Sequence, residues 1–315
     1  MPANAPVKPA ISAAVWAMLL ALSLLWGASF FFARIAVHEV PPLFLVLFRV
    51  AIAALALHLY LASKGEWASF RAQPFLPFLL LGLLNNAIPF SLLFIAQTSL
   101  GAGLASILNA LVPFWTVIAA NRLTSDEKIS PGKLTGILLG IFGAAVIISP
   151  GAASGLGAPI WAQLAVIGAG ISYAFASIYS KRFKGVPPAV TATGQLTAAA
   201  LIMLPVAFLA HGTFDPASIS AQVWAVILAL ALASTALAYI LFFRIIAAAG
   251  ATIVSLVTLL VPISAVLLGA LLLGERLSWN EFAGMALIAL GLVTIDGRLA
   301  RLVKGAGQGA IRRNH

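Results

Sequence analysis

The sequence predicts an all-α membrane protein: ten transmembrane helices forming an inverted repeat of two five-helix halves. Three observations predict it. Of 315 residues, 62% are hydrophobic and only 8% charged, whereas a soluble domain carries about a quarter charged residues to cover its surface. Apolar runs of about 20 residues, long enough to cross a bilayer as a helix, follow one another with short connections. The second half of the chain also repeats features of the first at a nearly constant offset. A β-barrel would instead alternate outward and inward residues over segments of about 10. The 26 Gly and 17 Pro suit membrane helices, where neighbouring helices re-satisfy the backbone. With no Cys in the chain, disulfides, thiolate metal sites and cysteine nucleophiles are excluded.

The elements follow in order. The first run, 13–33, comes after a single Lys8. It exceeds the roughly 7–15 residues of a signal-peptide core, so a retained helix is expected. The second, 43–62, begins after Val40-Pro41-Pro42 and carries Arg49 inside it. The third, 75–96, holds Asn85, Asn86 and Pro89, with Gln97 at its end. The fourth, 100–120, contains Asn109, Pro113 and Trp115, and the fifth, 133–149, a face of Gly136, Gly140 and Gly143. The sixth, 160–180, carries Tyr173 and Ser177, and the seventh, 188–209, repeats the Pro-Pro start and places Gln195 where the first half has Arg49. The eighth, 222–243, holds Thr235 and Tyr239, and the ninth, 251–273, holds Ser255, Thr258 and Pro262. The tenth, 281–296, has Gly284 and Gly291 on one face, and a basic tail follows over 299–315. Small-residue faces let helices approach closely, which implies packing or a homodimer contact for the fifth and tenth.

Basic residues orient the chain, because cytoplasmic loops retain Lys and Arg. With the N-terminus inside, fifteen of the eighteen Lys and Arg fall on cytoplasmic segments, from Lys8 through Lys64, Arg122, Lys181 and Arg244 to Arg313. Only Arg34 and Arg276 lie outside, and Arg49 lies within a span. An error of one span would move every later loop across the membrane, so both termini are placed in the cytoplasm of a cell inner membrane. The net charge of +10 then reflects topology and attraction to anionic lipid. No aromatic interleaving in the basic tail suggests nucleic-acid binding.

The internal repeat spans the chain at offsets of 146–149 residues. Val40-Pro41-Pro42 recurs as Val186-Pro187-Pro188, Gly101-Ala102 as Gly250-Ala251, and Leu111-Val112-Pro113 as Leu260-Val261-Pro262. Glu127 matches Glu275, Gly136 matches Gly284 and Gly143 matches Gly291. The expected units are 1–149, 150–298 and the tail. Five spans per half is an odd number, so the second copy enters the membrane from the opposite side, the construction on which many carriers build alternating access.

WGASF at Trp26–Phe30, Arg49 after Pro41-Pro42, GAGLASILNALVP at Gly101–Pro113, and the LGERL segment after the Pro-bearing ninth helix resemble the ten-helix, EamA-type branch of the drug/metabolite transporter superfamily. The resemblance covers nearly the whole chain. It implies a membrane carrier, usually an exporter of amino acids, other metabolites or toxic compounds. Four-helix multidrug members of that superfamily resemble one half and use a first-helix Glu for proton exchange. Neither 13–33 nor 160–180 contains an acid here, and all eight acids lie at span ends or in loops. Coupling through a deep carboxylate is therefore disfavoured.

Ionisable groups inside hydrocarbon are functional candidates by default, which singles out Arg49. Two readings stand: a fixed positive charge facing a central cavity, or a charge held internally by a helix-end carbonyl or Glu39. The mid-span prolines Pro89, Pro113 and Pro262 are expected to kink their helices and free the carbonyls of Asn85, Asn109 and Thr258. With Asn86, Gln97, Trp26 and Trp115, and with Tyr173, Gln195 and Tyr239 from the second half, they make the candidate cavity lining. Trp16, Trp67, Trp161, Trp224 and Trp279 lie near span ends, as interfacial anchors do. An intramembrane enzyme lacks support, because no His sits at depth beside a Ser, no His/acid cluster could bind metal and there is no phosphate-binding loop. The expected function is secondary transport exporting a small metabolite, with amino acids or related organic anions favoured by Arg49. No cofactor is implied, and drug or toxic-compound efflux is the alternative.

Overall fold

The computed structural model describes residues 12–124, 128–154, 158–254 and 256–296. All regular structure among them is helical. Nine of the described helices are long and apolar enough to cross a membrane: Ala13–Ala36, Pro42–Ser63, Leu76–Gln97, Ala102–Leu123, Pro131–Ser149, Ile160–Phe183, Pro188–His211, Ala221–Ala249 and Trp279–Asp296. The shorter Val257–Leu273, preceded by Ala251–Val254, fills the ninth place. Local chemistry sets several ends. The Ser12 side chain accepts from the Val15 N–H, and Pro42, Pro77 and Pro188 stand in first turns, where a missing N–H costs nothing. Gly274 ends the ninth span with φ 68, a left-handed conformation that a side chain would strain. Lys8, the tail and the Asp126-Glu127 pair lie outside the described residues.

Two spans are not regular. The third widens into a π-helical turn at Leu83–Ala87, and the eighth does so at Ala229–Leu237. The two segments lie in repeat-equivalent spans. Pro89 therefore frees a different carbonyl from the expected one. In the widened register the orphan is Leu84 rather than Asn85, and its carbonyl accepts from Ser172 on the sixth helix at 2.7 Å. Pro113 does not kink its span but divides it. Ala102–Asn109 ends, and Pro113 occupies the first turn of Val112–Leu123, where it displaces no hydrogen bond. Pro262 stays inside Val257–Leu273 as a kink position, while the discontinuity of the ninth span falls earlier, after Val254.

Packing partners form a regular pattern. The fifth helix packs on the tenth and the second on the seventh; the first packs on the ninth, as the sixth does on the fourth. The third meets the sixth and the eighth the first, and the second meets the eighth as the seventh meets the third. Exchanging each helix for the one five places later leaves these pairings unchanged. Glycines make the fifth–tenth contact close. A Cβ on Gly143 would lie 2.8 Å from the Gly284 carbonyl oxygen, and one on Gly136 would lie 2.7 Å from that of Gly291. The glycine face thus packs within the chain.

Loop contacts define two faces. Arg34, in the last turn of the first helix, donates to the Gln97 and Thr98 carbonyls at the end of the third (2.6 and 3.1 Å). Glu39 accepts from the Ser220 N–H and hydroxyl at the start of the eighth, both at 3.0 Å. Glu275, after the ninth, reaches the start of the fourth. These ends share what is called here the far face. The near face gathers the second, third, sixth and seventh helix ends around Leu61, Phe78 and Val190. Outward leucines such as Leu209 and Leu271, 87% and 78% exposed, form the surface that lipid covers.

Candidate functional site

Between the two halves lies a cavity of about 410 Å³, within the range of small-molecule sites. Its walls come from the first to fourth and sixth to ninth spans. Ser180, the last residue of its helix, and Thr191, in the first turns of the next, belong to the wall, so the cavity extends to the near face. At the other end it stops at Phe30, Phe94 and Gln97.

Arg49 is its one buried cation, 5% exposed. The Nε donates to the Thr235 hydroxyl at 3.0 Å, and the guanidinium carbon sits 3.8 Å from the centre of the Phe90 ring and 5.6 Å from that of Phe94. Among the described residues no carboxylate pairs with it, and Glu39 is committed to Ser220. A charged side chain at mid-membrane costs about 2.5–3.5 kcal/mol on insertion scales. A desolvated cation–π contact returns about 2. The remainder is small enough for the fold to carry.

The neighbouring polar group is a chain of amides. Asn85, in the third-span π turn, donates to Gln195 Oε1 at 2.9 Å and to the Tyr239 hydroxyl at 3.3 Å. Gln195 thus faces the same cavity as Arg49 from the repeat-equivalent position. Thr235, in the eighth-span π segment, also donates its hydroxyl to the Leu230 carbonyl five residues earlier at 2.8 Å. Irregular helix of this kind is frequent at functional sites.

Of the residues picked out by sequence, Trp26, Arg49, Asn85, Gln97, Asn109, Tyr173, Gln195, Tyr239, Thr258, Pro113 and Pro262 are in the wall. Gln97 is partly structural, since its amide donates to the Phe30 carbonyl at 2.7 Å. Asn86 and Trp115 are off the wall. Asn86 is one helical step, about 100°, round from Asn85; it is fully buried and its amide atoms have no partner among the described residues. Trp115 lies against Gly170 of the sixth helix. Pro89 is likewise absent from the wall, which its neighbour Phe90 occupies. Sequence reasoning did not pick Phe90 and Phe94, which stack on Arg49, nor Phe242 and Phe243. Their only signal was helical spacing from named residues: Phe90 and Phe94 are four apart, as are Tyr239 and Phe243. Ser255 lies outside the described residues.

The far end is held by one carboxylate. Glu275 accepts from the Ala102 N–H at 2.8 Å and from the Gly103 N–H at 3.0 Å, capping the first turn of the fourth span. Gly101 and Gly269 make room, since a Cβ on either would strike that carboxylate. A second, shallow cavity on this face is lined by Arg34, Glu39, Glu275 and Arg276. Ser264 ties the ninth span to the first by donating to the Ser23 carbonyl at 2.8 Å.

Comparison with known proteins is consistent across sequence and structure. The model of the EamA-like transporter family matches residues 12–149 and again 160–295. The uncharacterized inner membrane transporter YedA of Escherichia coli strain K12 is 30% identical over 284 residues, covering 88% of this chain and 89% of its own. A probable amino-acid metabolite efflux pump of the same strain is 28% identical over 292 residues, covering 87% and 92%. A protein crystal structure superposes with TM-score 0.66 at 21% identity, over 91% of this chain and 99% of its own. That last likeness is one of fold.

Proposed function

We propose, from the premise that this chain belongs to the EamA-like transporter family, that it exports a small metabolite by alternating access, with amino acids or related organic anions favoured. That it is a multi-pass membrane protein and a transporter follows from the family and the relatives. The observation that carries the finer reading is the cavity itself. It is lined from both halves, extends to the near face, ends before the far face and holds the unpaired cation Arg49.

The mechanism follows from those parts. A substrate entering from the near face brings its anionic group to Arg49 and replaces water there by a fixed, preorganised partner. The Glu275 cap and the Arg34 clamp on the third helix close the far end. Release to the far side requires the fourth span to leave Glu275 and the near-face ends to come together. The repeat supports this exchange, since one family model matches both halves and the helix pairings survive their interchange. Inverted repeats are related by a pseudo-two-fold axis in the membrane plane, and rocking one against the other exchanges the open face. On the positive-inside rule the near face is cytoplasmic, so the described state receives substrate from the cell interior.

Efflux of drug-like compounds is the second reading, favoured by the aromatic wall of Trp26, Phe90, Phe242 and Phe243. Substrate screening with the chain in proteoliposomes, repeated with Arg49→Ala and Asn109→Ala, tests the proposal. Transport of a metabolite that both variants weaken is expected. A substrate carried with wild-type kinetics by both would remove the site assignment.

A further inference from the structure

Taking the central cavity as the substrate site, we infer that its substrates are organic monoanions lacking an ammonium group. These are acids whose second polar group accepts hydrogen bonds, such as 2-oxo or N-acyl acids with an apolar body. They are preferred over zwitterionic amino acids and over cations. The argument is a donor and acceptor inventory of the cavity wall.

Arg49 has five N–H groups and gives one, at Nε, to Thr235. The other four have no acceptor among the described residues. One face of the guanidinium is covered by Phe90, so its edge remains for a ligand. Asn85 gives its amide N–H groups to Gln195 Oε1 and Tyr239 Oη. Those bonds leave the Gln195 NH₂ as a donor for a ligand, while the Tyr239 hydroxyl is shared with the Asn85 and Gln195 amides. The polar patch is therefore rich in donors and carries a net positive charge.

Charged acceptors are what the wall lacks. Its acceptors are the Asn85 and Asn109 Oδ1 atoms and hydroxyls such as that of Ser234, all neutral. The wall contains no Asp or Glu. At the far face, Glu275 is engaged by Ala102 and Gly103, Glu39 by Ser220 and Glu281 by the Ser278 N–H.

A carboxylate at Arg49 neutralises the site, and an oxo or acyl oxygen beside it takes the Gln195 donor. An α-ammonium at that point would meet a donor and only neutral acceptors in place of a counter-charge. A buried charged group left without a counter-charge is penalised, and the preference expected is about tenfold. A cation meets Arg49 itself.

The test uses the purified full chain in proteoliposomes and matched sets sharing one side chain: the 2-oxo acid, the α-amino acid and the α-amino amide. Methyl, isobutyl and benzyl bodies cover the range of sizes. The expected result is a KM for the 2-oxo acid about tenfold below that of the amino acid, with no uptake of the amide. Arg49→Gln is expected to raise the KM of the oxo acid more than that of the amino acid, which also loses a repelling charge, and so to shrink that preference. Should Arg49→Gln fail to fold, the ranking in the native chain still decides. Uptake of the amino acid equal to or better than that of its oxo acid overturns the inference and leaves the transporter reading intact. No uptake of any member at any body size overturns both.

Discussion

Arg49 Nε donates to Thr235 Oγ1 at 3.0 Å, from the second helix to the π segment of the eighth. The bond has a counterpart: Gln195 on the seventh helix receives Asn85 from the π turn of the third at 2.9 Å. Each is a hydrogen bond between the halves, joining a residue of the second or seventh helix to the π segment of the eighth or third. The donor and acceptor roles reverse between them. Arg49 is charged and Gln195 is not.

Thr235→Val keeps the volume and removes the hydroxyl. It leaves Arg49 Nε without its partner, at about 1–3 kcal/mol. The expected outcome is a lowered unfolding temperature and a raised KM, both restored by Thr235→Ser. A Val variant with native KM would show that Thr235 does not orient Arg49.

Glu275 governs the far end. Its two bonds to backbone N–H groups are charge-assisted, each worth about 1.5–3 kcal/mol. Losing one such increment shifts a two-state equilibrium about tenfold or more. The chain has no Cys, so a thiol introduced as Ser29→Cys in the cavity wall is the sole target for a maleimide that cannot cross the membrane. Added outside intact cells, the reagent is expected to label the single mutant slowly and the Glu275→Ala double mutant about tenfold faster. Equal rates would show that Glu275 does not hold the far end closed.

The glycine contact between the fifth and tenth helices has no slack. Gly143→Ala and Gly284→Ala each place a Cβ within 2.8 Å of a facing carbonyl oxygen. Overpacking of this kind costs about 1–3 kcal/mol. Thermal unfolding in detergent is expected at a lower temperature for both variants. It should be unchanged for Gly132→Ala, whose Cβ meets nothing within 4 Å. Native stability in all three would mean that the helix pair tolerates separation.

The sequence made some of this legible and hid the rest for physical reasons. Apolar runs of about 20 residues mark the spans because a bilayer admits little else, and Arg49 stood out because charge at depth is rare. The π segments at Leu83–Ala87 and Ala229–Leu237 were not legible. A π turn uses the same residues and backbone region as an α turn, and the hydrophobic pattern does not record which carbonyl an N–H chooses. That one-residue shift decides that Leu84 carries the freed carbonyl, and helical geometry decides that Asn85 faces the cavity while Asn86 does not. The glycine spacing of the fifth and tenth helices was visible, but its partner was not, since spacing is silent on whether a small face meets its own chain or another. Glu275 stood out in the sequence only as the match of Glu127, while its acceptance from Ala102, 173 residues away, is a tertiary fact.

The central claim is that the cavity around Arg49 is the substrate path, and the flux of a transported organic acid through Arg49→Gln proteoliposomes tests it most directly. Gln is shorter than Arg but polar and uncharged, and a Gln already stands at position 195 in the wall of the same cavity, so the fold can accommodate it. Losing a charge-assisted partner worth about 1.5–3 kcal/mol predicts a fall in kcat/KM of roughly tenfold to a hundredfold, with the protein still folded and inserted. Wild-type kcat/KM in a folded Arg49→Gln protein would contradict the account.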